Sequence, residues 1–392
     1  MKLDSIQQAL RSSGIDAWLF YDFHRRDAIA YRVLGLRTHG MATRRWYYLV
    51  PAQGEPIKLV HRIESGQLDS LPGERRLYAS WQEHSRLLEE MLRSCRTVAM
   101  QYSPLNQIPY ISAVDAGTIE LIRSFGKEVV SSAPLVLQFE SRWSPAALAS
   151  HLKAGELVDG IVADTFHEIG RRVAGSGSTD EYSIQQFILE RFEQAGLTSN
   201  RKRPIVAANR NTGDPHYEPT RERSSPIREG DFVLLDVWAK LNRTGAVYYD
   251  VTWTGFLGAE PPREIEKIFE IVKAARDSAV ARVVSACQRG EQLHGWEVDH
   301  AARNVITERG YAEFFVHRTG HSIGEEVHGN GTNIDDLETH DDRAIIPFTG
   351  FSIEPGIYLP EFGVRSEVNV YVEEGSARVT GRIQDRVVPI GG

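Results

Sequence analysis

The sequence predicts an α+β protein in two parts, a small α/β unit over 1–142 and a larger body over 143–392. Three observations predict it. Over the first 140 residues, short apolar runs of strand type alternate with amphipathic stretches of helical spacing. A Ser-Pro pair at 144–145 then opens a long helical periodicity, which marks a boundary near SRWSPAALASHL. From about residue 204, runs rich in Val, Ile, Phe, Tyr and Trp take over and two further helices interrupt them, so helices should cover one side of a largely antiparallel sheet.

Taken in order, LDSIQQALRSSG places Leu3, Ile6 and Leu10 on one helical face and stops at Gly14. DAWLFYD follows as a strand. RWYYLVPAQGEPIKLVHRIE reads as two strands about a Gln-Gly-Glu-Pro turn. TVAMQYS is another strand, and GTIELIRSFGKEVVSSA supplies a helix and a short strand. Ser144 caps the boundary helix and Pro145 takes its first position. Leu152, Val158, Ile161, Val162, Phe166, Ile169 and Val173 form its apolar face, and AGSGS (174–178) ends it. TDEYSIQQFILERFEQAG restarts a helix with Thr179 as its cap and Ile184, Phe187, Ile188 and Phe192 on one face. DFVLLDVWAKL, GAVYYDVTWTGFLG, FSIEPGIYL and SEVNVYVEEG read as strands. PREIEKIFEIVKAARDSAVARVVSA and WEVDHAARNVITERG read as the helices between them. Each half of the body thus has helices followed by a strand pair.

The totals exclude several classes. A net charge of −8 across 392 residues offers no basic stripe for nucleic acid. Cys95 and Cys287 stand far apart and in no CxxC arrangement, which argues against a disulfide framework and a thiolate metal site. The segment MKLDSIQQALRSSG lacks the apolar core of a signal peptide. No uncharged apolar run reaches the length that spans a bilayer. A reducing cytoplasm is the expected compartment, with no membrane and no nucleic acid as partner.

Chemistry enters where acids interrupt the apolar strands. Asp236 shares a face with Phe232, Leu234 and Trp238, and Asp250 shares one with Thr252 and Thr254. Glu354 breaks the run FSIEPGIY, and Glu367 breaks GVRSEVNV two residues after Arg365. A lone acid of this kind commonly pairs with an arginine or sits at a strand end. Here there are four, in two sequential pairs, 236 with 250 and 354 with 367, and each pair is compatible with a hairpin. Like charges held that close repel strongly unless a cation lies between them. Hard oxygen ligands suit Mn, Mg or Fe, and one imidazole admits Zn or Co. HRTGHSIGEEVH concentrates His317, His321 and His328 in twelve positions, and His321 is the natural nitrogen ligand.

LLDVW…YYDVTWTG, HRTGHSIGEEVH, SIEPGIY and GVRSEVNV resemble the metallopeptidases of the pita-bread fold. That family includes Xaa-Pro dipeptidases (prolidases), Xaa-Pro aminopeptidases and methionine aminopeptidases, with creatinase as a metal-free relative. The motifs cover about 204–375, and the N-terminal 140 residues resemble the creatinase/prolidase N-terminal domain in length and character. The resemblance implies two divalent ions, with Mn2+ first and Co2+ or Zn2+ as alternatives. It implies that Asp236 chelates one ion, that Asp250 and Glu367 bridge both, and that His321 and Glu354 complete the second. It further implies that Thr252 supports the metal site, that His216 lines it, and that His328 contacts the scissile peptide group. His317 and Arg365 would hold the proline or carboxylate side, and Glu354 would shuttle the proton from a bridging hydroxide to the leaving nitrogen. The implied activity is that of an Xaa-Pro dipeptidase on an Xaa-Pro peptide substrate, and the implied assembly is a homodimer.

Alternatives are an Xaa-Pro aminopeptidase, a small-molecule hydrolase or lyase, and a binding module on the same fold. The chain departs from the family pattern at Trp253 in DVTWT, at Gly329 and Asn330 after His328, at Val368 after Glu367, and in a longer connection from Asp236 to Asp250. Tyr217, Tyr248 and Trp253 are candidates to line a proline pocket.

Overall fold

A computed structural model describes residues 3–37 and 41–391. The chain divides into two compact units, Met1–Ser141 and Arg142–Gly392. The first is built on a mixed sheet of β1 (Ala17–Asp22), β2 (Trp46–Pro51), β3 (Ile57–His61), β4 (Glu74–Tyr78), β5 (Thr97–Met100) and β6 (Glu128–Ser131), in the order β4-β3-β2-β1-β5-β6. β1 is buried at all six positions because both faces are covered. Trp18 and Phe20 pack with Ile6 and Leu10 of α1 (Leu3–Ser12) and with α2 (Ala28–Leu34). Ala17 and Leu19 pack with Leu88 of α3 (Trp81–Met91) and Ile119 of α4 (Ala116–Ser124) on the other side. α5 (Ala133–Phe139) closes the unit.

α2, α3, α5 and β4 stand beyond the elements expected from sequence. β4 is the charged edge strand ERRLY, whose polarity hides its pairing. α3 carried a legible signal, a capping box of Ser80 and Glu83.

The second unit opens with α6 (Pro145–Ser176), where Ser144 accepts from the Ala147 N–H and Pro145 takes the first position. The helix runs through AGS and stops at Gly177, whose φ of 79° makes it a left-handed cap. Leu152, expected on the apolar face, is instead exposed. After β7 (Thr179–Asp180) comes α7 (Glu181–Gln194), and its cap is Asp180, which accepts from Ser183 N–H. Thr179 pairs instead with Ile227 of β10 (Pro226–Ile227). Of the face assigned to α7, Ile184, Ile188 and Phe192 are buried, while Phe187 is half-buried with Arg172 and Arg191 against its ring.

The centre of this unit is a hairpin of β11 (Phe232–Leu241) and β12 (Tyr249–Leu257), flanked by β8 (Leu197–Thr198), β9 (Ile205–Ala208) and β19 (Val388–Ile390). Its register pairs Asp236 with Thr252 and Trp238 with Asp250. Alternation then divides the two faces. Val233, Leu235, Val237, Tyr249 and Val251 pack on Val158, Ile161 and Phe166 of α6 and on Ile184 of α7. The other face carries Asp236, Trp238, Asp250 and Thr252.

The second half repeats the arrangement. α8 (Arg263–Arg289) and α9 (Gly295–Glu308) pack on β14 (Gly350–Ile353), β15 (Gly356–Tyr358), β16 (Gly363–Arg365) and β17 (Val368–Glu373) through Phe269, Val272, Val298, Phe351, Val364 and Val370. β13 (Ser322–Ile323) and β18 (Ser376–Thr380) complete that sheet. No helix among the described residues is long and apolar enough to cross a membrane.

Candidate metal centre

Glu354 and Glu367 are not inside strands, contrary to the expectation that FSIEPGIYL and SEVNVYVEEG are strands throughout. β14 pairs with β17 and β15 with β16, and the pairing is interrupted at 354–355 and 366–367. The same register carries across the break, so Glu354 lies opposite Glu367. Their backbone N–H groups turn outward: Glu354 N–H donates to Thr319 O at 2.7 Å and Glu367 N–H to Thr252 O at 3.3 Å. The break therefore ties the hairpin to β12 on one side and to the histidine segment on the other. Pro355, which has no N–H, sits in it.

His321 is placed by a close backbone approach. A Cβ on Gly320 would stand 1.9 Å from Ser352 O, so glycine is required there. His321 N–H donates to Ser352 Oγ at 3.0 Å, and Ser352 N–H returns a bond to His321 O at 2.9 Å. Nδ1 of His321 lies 3.2 Å from Ser322 O. A proton on Nδ1 donated there leaves the Nε2 lone pair facing the acids. Nε2 is 3.3 Å from Glu354 Oε1 and 3.6 Å from Asp250 Oδ2.

Asp250, His321 and Glu367 present ligand atoms that all lie within 4.8 Å of one another. Asp236 meets the Arg365 guanidinium, and Glu354 Oε2 lies 4.0 Å from Arg365 Nε. The structure thus brings the four acids, His321 and Arg365 into one cluster. Thr252 braces it, donating to Glu367 Oε2 at 2.9 Å and accepting from Arg365 Nε at 3.0 Å. Asn369 Oδ1 accepts from Asp250 N–H at 3.1 Å.

Electrostatics are the central feature. Burial pushes the Asp236 carboxyl up to about 6, against the opposing pull of Arg365. Burial pushes Asp250 up to about 7. Burial raises Glu354, and burial together with the charges of Asp250 and Glu354 lifts Glu367 well above the carboxylate range. Burial lowers His321, although Glu354 pulls the other way. Four carboxylates face one guanidinium, and Asp250 Oδ1 and Glu367 Oε1 are buried with no hydrogen-bond partner among the described residues. Orphaned acceptors in such a setting fit a cation, and hard oxygens with one imidazole fit a divalent one. The donor set therefore suits the metal that the sequence motifs imply.

Solvent reaches the cluster at Asp236, Glu354, His317 and Trp238, which are partly exposed, whereas Asp250, His321 and Glu367 are buried. The His328 ring stands edge-on to His321 at 4.3 Å, and the charge of His321, followed by burial, drives its imidazole to about 2. His216 lies exposed on the 209–225 loop. His317 Nε2 accepts from Tyr358 OH at 2.7 Å, and Tyr358 OH accepts from Arg365 Nη1 at 3.0 Å. Burial and Arg365 lower His317 to about 3.

Arg365 is itself buried, with Thr252, Tyr358, Pro215 O and Asp236 as acceptors. Tyr358, the link between Arg365 and His317, received no role from sequence although it ends the motif SIEPGIY. Trp253 lies on the opposite face from Thr252, against the α6 side of the sheet, so it does not border the cluster. Tyr217 is held by Glu181 at 2.6 Å, and Tyr248 is buried with Val247 and Val327.

The model of metallopeptidase family M24 matches residues 149–374. The chain is 30% identical over 209 residues to a Mycoplasma pneumoniae protein provisionally named Xaa-Pro aminopeptidase, covering 52% of this chain and 53% of that protein. It is 31% identical over 241 residues to an Xaa-Pro dipeptidase of Lactobacillus delbrueckii subsp. lactis, covering 61% and 60%. The matches thus span only 53% and 60% of the length of these two curated relatives. Among solved structures, dipeptidase PepE from Mycobacterium ulcerans superposes with a TM-score of 0.73 at 23% identity, over 99% of this chain and 96% of that one. An X-Pro aminopeptidase from Thermotoga maritima gives 0.66 at 21%, over 99% of both chains. With the motifs, the fold and the acid cluster on one set of residues, the chain belongs to metallopeptidase family M24.

Proposed function

We propose that this protein is an Xaa-Pro dipeptidase, hydrolysing the imide bond of Xaa-Pro dipeptides with two divalent ions, Mn2+ first and Co2+ or Zn2+ as alternatives. The observation that carries the reading is the convergence of Asp250, Glu354 and Glu367 on His321, with Asp236 joined to them through Arg365, and with Asp250 Oδ1 and Glu367 Oε1 buried and without a hydrogen-bond partner among the described residues. Asp250, His321, Glu354 and Glu367 would hold one ion, and Asp236 with Asp250 and Glu367 the other. Such ions supply Lewis acidity toward the substrate carbonyl and ready water for attack near neutral pH.

The remaining roles fall to the protein. Ser352 Oγ donates to Glu354 Oε1 at 3.1 Å, which fixes that carboxylate and leaves Oε2 to take a proton from the attacking water and deliver it to the leaving nitrogen. His328, held neutral beside His321, donates an N–H to the carbonyl oxygen as charge develops there. His216 approaches from the loop side. Arg365 keeps positive charge at one end of the site, with His317 joined to it through Tyr358, and we assign that end to the substrate carboxylate. A homodimer in the cytoplasm completes the proposal, and the unpaired Cys95 and Cys287 support a reducing compartment.

The test compares hydrolysis of Ala-Pro and Ala-Pro-Ala by the Mn2+-loaded protein. Faster cleavage of the dipeptide is expected. Preference for the tripeptide would replace the reading with an Xaa-Pro aminopeptidase, and failure to take up any divalent ion would overturn both.

A further inference from the structure

We infer that Trp238 is a specificity-determining residue, a rigid wall that restricts the substrate's amino-terminal residue to small side chains. The inference rests on the Xaa-Pro reading above and deepens it. Between Phe232 and Lys240, β11 is buried at every position except Asp236 and Trp238. The part of this strand that a substrate can touch is therefore one proposed metal ligand and one indole. Trp238 lies directly opposite Asp250 in the hairpin register, on the face that carries the acids. A tryptophan there takes up volume next to the cluster that a smaller residue would leave to the ligand.

The indole is held in place. It packs against one apolar cluster that includes Tyr217 and Leu234, and against a second that includes Val247, Ile323 and Val327. Ile323 and Val327 belong to the same segment as His321 and His328, so this wall and the histidines are fixed to each other. A side chain clamped from two sides, with two rotatable bonds, cannot swing aside for a larger ligand without disturbing both clusters.

The direction of the substrate follows from the two ends of the face. Arg365 bonds Asp236 and Thr252, which are register partners, and leads through Tyr358 to His317. Trp238 and Asp250 form the next pair along the face. With the carboxylate at the Arg365 and His317 end, the amino-terminal residue of a dipeptide extends toward Trp238. Glycine, alanine or serine fits beside the indole, whereas phenylalanine or leucine collides with it.

The experiment measures kcat and KM for Ala-Pro and Phe-Pro with the Mn2+-loaded wild type, Trp238→Ala, Trp238→Leu and Trp238→Phe. The wild type is expected to favour Ala-Pro. Trp238→Ala should raise the Phe-Pro to Ala-Pro ratio of kcat/KM by about ten-fold or more, chiefly through KM for Phe-Pro. Trp238→Leu should fall between, and Trp238→Phe should stay near the wild type. The graded series keeps the test decisive if the alanine variant does not fold. A wild type that cleaves Phe-Pro as readily as Ala-Pro, or a ratio unmoved across the series, overturns the wall and leaves the Xaa-Pro reading standing. A wild type that takes up Mn2+ but cleaves neither dipeptide overturns the Xaa-Pro reading, and this inference falls with it.

Discussion

At Asp250 and Glu367, one carboxylate oxygen each lies in the interior with no donor among the described residues, while burial favours the uncharged form of both groups. Isolated, each would be a costly flaw; together with His321 they present ligand atoms within 4.8 Å of one another, a set that suits a cation. Asp250→Ala and His321→Ala should therefore weaken Mn2+ uptake by more than the roughly 100-fold that loss of an outer-shell partner costs. Calorimetry reads this directly, and Mn2+ should raise the melting temperature of the wild type but of neither variant. Trp253→Phe, on the other face of the sheet, should leave uptake unchanged. His151 offers a second test. It is fully buried, with Nδ1 2.5 Å from Tyr248 O and Nε2 2.7 Å from Thr380 Oγ1, and burial holds its imidazole down to about 4. Because the folded value lies below the ordinary 6.5, its stabilisation is complete above 6.5 and is lost as pH falls through 4. That amounts to about 3 kcal/mol between pH 7 and pH 4. The stability gap between wild type and His151→Gln, measured by urea unfolding, should shrink by that amount over the interval, and a constant gap would refute it. At this scale the proposed ligands were legible because each is an acid or histidine set among apolar or glycine neighbours. Tyr358, Ser352 and Asn369 were not, since a tyrosine, serine or asparagine in a strand-like run says nothing until its partner across the fold is known.

Among the elements, the β11–β12 hairpin was readable because period-2 alternation puts Asp236 and Asp250 on one face whatever the connecting loop does. The second acid pair misled, since Glu354 and Glu367 continue apolar runs while their N–H groups leave the ladder for Thr319 and Thr252. Only long-range contacts disclose that exchange. The short or charged elements α2, α5 and β4 carry too little periodicity to stand out, and the cap of α7 moved by one residue because Thr179 is spent on pairing with β10. Glu181, the first residue of α7, shows what an element's end can organise. Its buried carboxylate accepts from Ala208 N–H at 2.7 Å, Asn211 Nδ2 at 2.8 Å, Tyr217 OH at 2.6 Å and Ser225 N–H at 2.6 Å. These donors bracket the loop that carries His216. Glu181→Ala leaves them unmet and should cost more than about 2 kcal/mol, since bonds to a charged acceptor are lost together with desolvated partners. Amide hydrogen exchange over 209–225 should accelerate while exchange in α8 stays slow. Uniform acceleration would mean that Glu181 supports the whole unit rather than this loop.

For the molecule as a whole, the division into Met1–Ser141 and Arg142–Gly392 has a direct consequence. Asp236, Asp250, His321, Glu354 and Glu367 all belong to the second unit, as does the whole stretch matched by the family model, 149–374. Their supports, Thr252, Ser352, Asn369 and Arg365, belong to it too. That unit also has cores of its own, one where α6 and α7 meet the β11–β12 face and another where α8 and α9 meet the second sheet. The repeated pattern of helices followed by a strand pair was visible in the sequence because each half must bury one sheet face by itself. Which strands meet across the two halves was not visible, because β12 reaches the 366–369 segment through the Glu367 N–H and the Asn369 side chain rather than through any patterned run. If the ligand set is complete within 142–392, a fragment of those residues should unfold as one cooperative transition and take up Mn2+ with the affinity of the full chain, as read by scanning and titration calorimetry. A folded fragment that fails to bind would show that the first unit supplies something the cluster requires, and the five-residue assignment would have to be extended.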